Sequence, residues 1–199
     1  MASLAERSAL AGLVTPGHYG RAGASGLTVV ERTDVALASV IAKYGKRFML
    51  VNAVNTAFGV ALPDEPRRAT KGTVTFAGTG PDQWIASAEG AEAAGFAAKL
   101  RARIGPFAAV SDQSDARLVL HLFGPRVRDV LAKGLTVDLH PKVFKPGDVA
   151  VTPMAYIGVQ IDMLDDTTYQ LTAPRSMAGS FWSWLSASAA EFGYDVVTK

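Results

Sequence analysis

Asp162 lies in the stretch YIGVQIDML with apolar residues on both sides, and a carboxylate in such company is a candidate general base or ligand anchor. The same setting suits a structural acid at a strand edge or in an ion pair, because a buried carboxylate needs a partner. The other acids point to turns. Asp165 and Asp166 before Thr167 and Thr168 predict a hairpin loop, and Asp112, Gln113 and Ser114 predict an Asx-type cap. His18, His121 and His140 stand far apart, and none has a second His, Asp or Glu two to four residues further on. That spacing predicts no metal site. His121 alternates with Leu120 and Leu122, so it takes the opposite sheet face from them; His140, in DLHP, belongs to a turn fixed by Pro141, with its ring bonded to backbone. No nucleophile, base and acid stand in a recognisable order.

Two glycine-rich stretches could cradle phosphate. In GTG (Gly78–Gly80) the glycines follow a strand pattern, but Pro81 comes next and no helix opens there. In GRAGASG (Gly20–Gly26) they precede a strand. A dinucleotide loop needs strand, glycines and helix N-terminus in that order, so neither qualifies.

The rest of the composition narrows the classes. Basic residues number 20 against 18 acidic, and no basic stripe interleaves with aromatics, which excludes a nucleic-acid partner. There is no cysteine, hence no disulfide, thiolate or Cys-ligated metal. Glu6 and Arg7 interrupt the first residues, and no run of eighteen apolar residues exists, so a cytoplasmic chain without leader or membrane span is expected. At 199 residues and 49% apolar, the chain suffices for one domain or for two small lobes sharing a core as one compact unit.

The elements that must position these groups follow from periodicity. Residues 1–25, rich in Ala, Gly and Ser, predict a flexible N-terminal arm. GLTVVERT predicts a strand, and Val35, Ala38, Ile41 and Tyr44 predict a helix capped at Thr33 or Asp34 and ended by Gly45. FMLVNAV, TAFGVALP, GTVTFAG and QWIASA predict strands, with LPDEPRRATKG as a surface loop; a helix follows over 89–104. The order then repeats: a strand over 116–122, a helix over 125–133, strands near 148–153, 156–163 and 168–172, a helix over 176–192, and a strand at YDVV. The fold class expected is α+β, two ferredoxin-like β-α-β-β-α-β lobes with antiparallel sheets, divided as 26–113 and 114–199.

On the last helix Met177, Phe181, Trp184, Leu185, Ser188 and Phe192 share one face, which is ordinary core. Trp182 sits about 100° round from Phe181, at the margin of that stripe, with Ser183 and Ser186 further round. An indole there either covers the edge of the core or fills a pocket on a partner. Trp182, Ser183 and Ser186 are therefore the candidate interface residues, together with the arm.

VSDQSDARLVLHLFGPRVRDVLAKGLTVDLHPKVF, then YQLTAPRSMAGSFWSWL and EFG, resembles the gamma subunit of heterotetrameric sarcosine oxidase. FGVALPDEP and GPDQWIAS are similar to that family's middle portion, and the resemblance spans residues 26–195. It implies the fold of the folate-binding domain of glycine-cleavage aminomethyltransferase. It also implies a subunit without catalytic residues of its own, in a complex that demethylates sarcosine to glycine with hydrogen peroxide and formaldehyde or methylenetetrahydrofolate. FAD, FMN and NAD are then expected in the large alpha and beta subunits and zinc in the small delta subunit, with none bound by this chain. The isolated chain could pair with itself through the surface its partners cover. Two alternatives stay open. One is a folate-binding aminomethyltransferase-like protein, with Asp162, Tyr169 and Arg175 lining the pocket; IGVQID offers Gly158 and Asp162 where that family has a Gly-to-Asp strand segment near folate. The other is a subunit of a related N-methyl amino acid dehydrogenase.

Overall fold

The computed structural model describes residues 8–198, which divide into two compact units. The chain starts with β1 (Gly17–Tyr19) and β2 (Leu27–Glu31), both part of a seven-stranded sheet completed much later. Asp34–Arg117 and Gly147–Ala150 form the first unit to be closed. Its elements are β3 (Val35–Ala42), α1 (Arg47–Phe58), β4 (Arg68–Lys71), β5 (Val74–Gly80), β6 (Gln83–Glu89), α2 (Phe96–Ile104) and β7 (Ala108–Asp112). The sheet runs β4-β5-β6-β3-β7 and every pair in it is antiparallel. Without the β4 hairpin this is the strand order of a β-α-β-β-α-β ferredoxin-like unit.

β3 stands where the spacing of Val35, Ala38, Ile41 and Tyr44 predicted a helix. It is the central strand, bonded to β6 on one side and β7 on the other, and buries Val35, Leu37, Ala38 and Val40. A strand covered on both faces is apolar throughout, so a helical spacing falls on it by coincidence. The opposite exchange holds next door. FMLVNAV, predicted as a strand, lies within α1, which buries Leu50 and Val54 one turn apart. Gly59 closes the helix in the left-handed region at φ 65°, its N–H donating to the Asn55 carbonyl. Leu50, Val54, Phe76, Trp84, Phe96 and Leu100 form the heart of this core.

The second unit comprises the described residues through Thr33, with Leu118–Pro146 and the chain from Val151. It adds β8 (Arg117–Phe123), α3 (Val127–Ala132), β9 (Val149–Met154), β10 (Ile157–Met163), β11 (Thr168–Pro174), α4 (Ala178–Ala189) and β12 (Tyr194–Val197). Its sheet runs β1-β12-β2-β8-β11-β10-β9. β2 lies parallel to β12 and antiparallel to β8, a strand inserted into the ferredoxin-like order. Gly134 passes against the Trp184 indole so closely that a Cβ there would sit 2.4 Å from the ring.

The boundaries therefore differ from 26–113 and 114–199. β2 belongs with the C-terminal elements because β8 and β12 are its neighbours. Gly147–Ala150 belongs with the five-stranded sheet, where Arg68 N–H donates to Gly147 and Val149 N–H to Pro66. The arm also differs. Residues 1–7 lie outside the described residues, but β1 pairs with β12, Leu10 is buried, and Arg21 N–H donates to the Ala190 carbonyl at 2.8 Å. Small residues read as slack here serve close approach: a Cβ on Gly20 would lie 2.4 Å from Ala190 O.

Candidate functional site

Strand alternation sorts the seven-stranded sheet into an apolar and a polar face. Ile161 pairs with Leu171 and Met163 with Tyr169 on one face; Gln160 pairs with Thr172 and Asp162 with Gln170 on the other. β8 contributes His121 opposite Val30, and Arg32 follows β2. These polar groups are buried: Asp162 is 2% exposed, Thr172 3%, and Gln160, Gln170 and Arg32 no more than 9%.

They bond to one another. Gln160 Nε2 donates to Asp162 Oδ1 at 2.7 Å. His121 Nε2 lies 3.2 Å from Gln170 Oε1, and Arg32 Nη1 lies 3.2 Å from His121 Nδ1. Arg32 Nη1 is also 3.3 Å from Nε2, but Gln170 Oε1 only accepts, so the ring proton sits on Nε2 and Nδ1 is left to accept from Arg32. In that tautomer both ring nitrogens of His121 are engaged, and Asp162 likewise has its carboxylate bonded. Thr172 Oγ1 is the buried side-chain oxygen that lacks a partner among the described residues. Such an arrangement orients a sheet face.

The trio Asp162, Tyr169 and Arg175 is not assembled as one pocket. Tyr169 follows the alternation onto the opposite face from Asp162, fully buried, where its hydroxyl accepts from Arg128 Nε at 2.9 Å. Burial pushes the phenol up, against the pull of the Arg128 hydrogen bond. Arg175 lies beyond β11 in a short 3₁₀ turn, half-buried. Trp182, for its part, is 8% exposed and meets the Tyr194 ring edge-on at 6.2 Å, so the indole covers the core edge. Ser186 Oγ lies 2.8 Å from the same Tyr194 hydroxyl. Ser183 is exposed and its hydroxyl donates back to Gly179 O within the helix.

The histidines divide as the spacing suggested. His140 Nδ1 accepts from Lys142 N–H at 3.2 Å within its turn. His18 has a role that the sequence did not show. Its Nδ1 lies 2.7 Å from Asp195 Oδ1 and its Nε2 2.9 Å from Arg21 O, two acceptors that suit an imidazolium. The Arg21 carbonyl, and then Asp195, hold its pKa above the ordinary 6.5. Among the described residues no group of three or more His, Cys, Asp or Glu could hold a metal ion. The Asp112–Ser114 cap and the Asp165–Thr167 turn form as predicted, with Ser114 and Thr167 N–H groups donating to the aspartates.

One groove of about 470 Å³ lies in the unit with the five-stranded sheet. It brings PDEP (63–66) against GPDQW (80–84), with Gly78 so near the former that a Cβ would sit 2.4 Å from Glu65 O. Arg47 spans it, paired with Asp64 and Asp82 and stacked 5.2 Å above the Trp84 ring. Trp84 donates its indole N–H to Pro63 O at 2.8 Å. Two acids already hold the one cation, so the groove is a structural lock with an acidic rim. No spacing pattern marks it, since Arg47 is distant along the chain from both acids.

Comparison with known proteins supplies the family. Residues 46–191 match the model of the sarcosine oxidase, gamma subunit family. The chain belongs to that family. It is 32% identical over 150 residues to the sarcosine oxidase subunit gamma of Corynebacterium sp. (strain P-1), covering 73% of this chain and 72% of that one. The Arthrobacter sp. subunit gamma is 31% identical over 149 residues, with the same coverage. Among solved structures, a chain of the heterotetrameric sarcosine oxidase from Corynebacterium sp. U-96 superposes with a TM-score of 0.80 at 26% identity, covering 94% of this chain and 95% of that chain. Aminomethyltransferase T of the Bartonella henselae glycine cleavage system superposes at 0.60 and 15% identity, covering 87% of this chain and 48% of that one; it shares the fold. This chain thus carries the α+β fold of the aminomethyltransferase type, its sheets antiparallel except where β2 runs parallel to β12.

Proposed function

We propose that this chain is the non-catalytic gamma subunit of a cytoplasmic heterotetrameric sarcosine oxidase, which oxidises sarcosine to glycine, releasing hydrogen peroxide and formaldehyde or passing the one-carbon unit to tetrahydrofolate. Its partners are two large flavoprotein subunits, alpha and beta, and a small delta subunit. They carry the FAD, FMN, NAD and zinc. The near end-to-end superposition on a chain of such an oxidase carries this reading. The site chemistry supports it: the groups best suited to catalysis, Asp162 and His121, are bonded into a sheet face. Folate binding by this chain draws no support from Asp162 and Tyr169, which alternate to opposite faces. No helix among the described residues is long and apolar enough to cross a membrane.

Co-expression with and without the large flavoprotein subunits of such an oxidase tests the proposal. The chain is expected to co-elute with them, and sarcosine-dependent peroxide release to fall when it is omitted. An oxidase that assembles and turns over fully without it, leaving the chain to elute alone, refutes the proposal.

A further inference from the structure

Ile41, Tyr44, Phe48 and Met49 sit at the corner where β3 turns into α1, and each is exposed: Tyr44 fully at 103%, Phe48 at 77%, Met49 at 46% and Ile41 at 45%. A turn closed by Lys46 N–H donating to Lys43 O, with Gly45 at φ 67°, projects Tyr44 just before the first helical turn that carries Phe48 and Met49. Single exposed apolar residues need no explanation, but four large ones within nine positions, two of them aromatic, mark a surface that association covers.

The corner's own stretch is basic, and the two carboxylates that come near it, Asp64 and Asp82, are both paired with Arg47. From Val35 to Pro63 the chain has no Asp or Glu and three bases, Lys43, Lys46 and Arg47. Arg47 is neutralised by Asp64 and Asp82, and Lys43 Nζ donates to Gly105 O. Lys46 and Lys43 remain as a positive rim without a carboxylate partner of their own stretch. From this we infer that the Tyr44–Phe48–Met49 corner is the docking surface through which the chain joins the oxidase, and that its occupant is a partner subunit presenting an apolar pocket rimmed by carboxylates. The inference rests on the functional reading above and replaces Trp182 as the aromatic anchor, since that indole is covered within the chain.

The experiment uses the complex. The double variant Tyr44→Ser/Phe48→Ser, the single variant Tyr44→Ser and the control Val143→Ser (an exposed apolar residue in the other unit) are each co-expressed with the remaining subunits and captured through a tag on a large one. The double variant is expected to be retained about ten-fold less than wild type or worse, the size of a lost aromatic anchor. Its circular dichroism and urea midpoint stay unchanged, and Val143→Ser is retained normally. Lys43→Glu/Lys46→Glu is expected to slow assembly and reverse its salt dependence. Equal retention of wild type and double variant overturns the inference while leaving the functional reading intact. Failure of the wild-type chain to be retained removes both. Sedimentation of the isolated chain completes the test: a monomer is expected, and a wild-type dimer dispersed by the double variant would assign the corner to a second copy and overturn the inference.

Discussion

The two units share an order of elements and use their polar groups in opposite ways. The seven-stranded sheet buries Arg32, Gln160, Asp162, Gln170 and Thr172 on one face, with His121 half-buried beside them, and gives Thr172 Oγ1 no partner among the described residues. The five-stranded sheet is lined by Val40, Phe76, Trp84 and Leu100, and places its surplus apolar residues outside, at Ile41, Tyr44, Phe48 and Met49. Topology thus leaves open which surface is made specific by hydrogen bonds and which is left for association. A ferredoxin-like frame tolerates either, because alternation lets each strand face be chosen separately.

The contrast can be broken in order of effect. Trp84→Ala removes the largest fully buried side chain of the apolar core and the platform beneath Arg47, and is expected to cost about 3–5 kcal/mol in a urea titration. Asp162→Ala strips the acceptor from the Gln160 amide in a buried site; a loss of about 1–3 kcal/mol is expected, and a neutral result would mean the polar face is not cohesive. Thr172→Val keeps the shape and removes the unbonded hydroxyl. It should raise the unfolding free energy by about 1 kcal/mol in a urea titration, and a drop of that size would show that the hydroxyl has a partner after all.

The smallest effect concerns β1. The His18 pKa is raised by the Arg21 carbonyl and Asp195, so its stabilisation is full below the ordinary 6.5 and is lost as pH rises through the higher folded value. The Asp195 pKa is lowered by Ser25 and His18, so its share is full above the ordinary 3.8 and is lost as pH falls through the lower folded value. The clamp is therefore strongest between those two ordinary values. Hydrogen exchange of the β1 amides should accelerate as pH rises from 6 to 8 beyond the intrinsic rate, and His18→Gln should abolish that excess. Persistence of the excess in the variant would assign it elsewhere.

Much of this organisation was legible in the sequence. Strict alternation and Gly or Pro punctuation mark β5, β6, β8, β10 and β11, and Pro125 and Gly134 bracket α3. β3 and α1 were exchanged because each violates the amphipathic rule that periodicity relies on. β3 buries Val35 and Leu37 on one side and Ala38 and Val40 on the other, and α1 bears Phe48 and Met49 on its exposed face. The residues that spoiled the pattern are the ones assigned here to a partner surface. The polar face was legible only in fragments: Asp162 stood out as a lone acid among apolar neighbours, but His121 and Gln170 are 49 positions apart, and Arg32 and His121 are 89. Alternation within a single strand does show that Tyr169 and Gln170 oppose each other; which of them shares a side with Asp162 depends on hairpin register, which only the Asp165 turn fixes.

The insertion of β2 between β12 and β8 has a consequence for biosynthesis. β1 has one neighbour, β12, and the His18–Asp195 contact joins positions 177 apart. On the ribosome the five-stranded sheet is almost complete once Asp112 has emerged, while β1 and the β12 side of β2 wait for the final strand, Tyr194–Val197. Loss of those four residues would strip the pairing from β1 and half of that from β2, so β1 has no ladder until β12 is made.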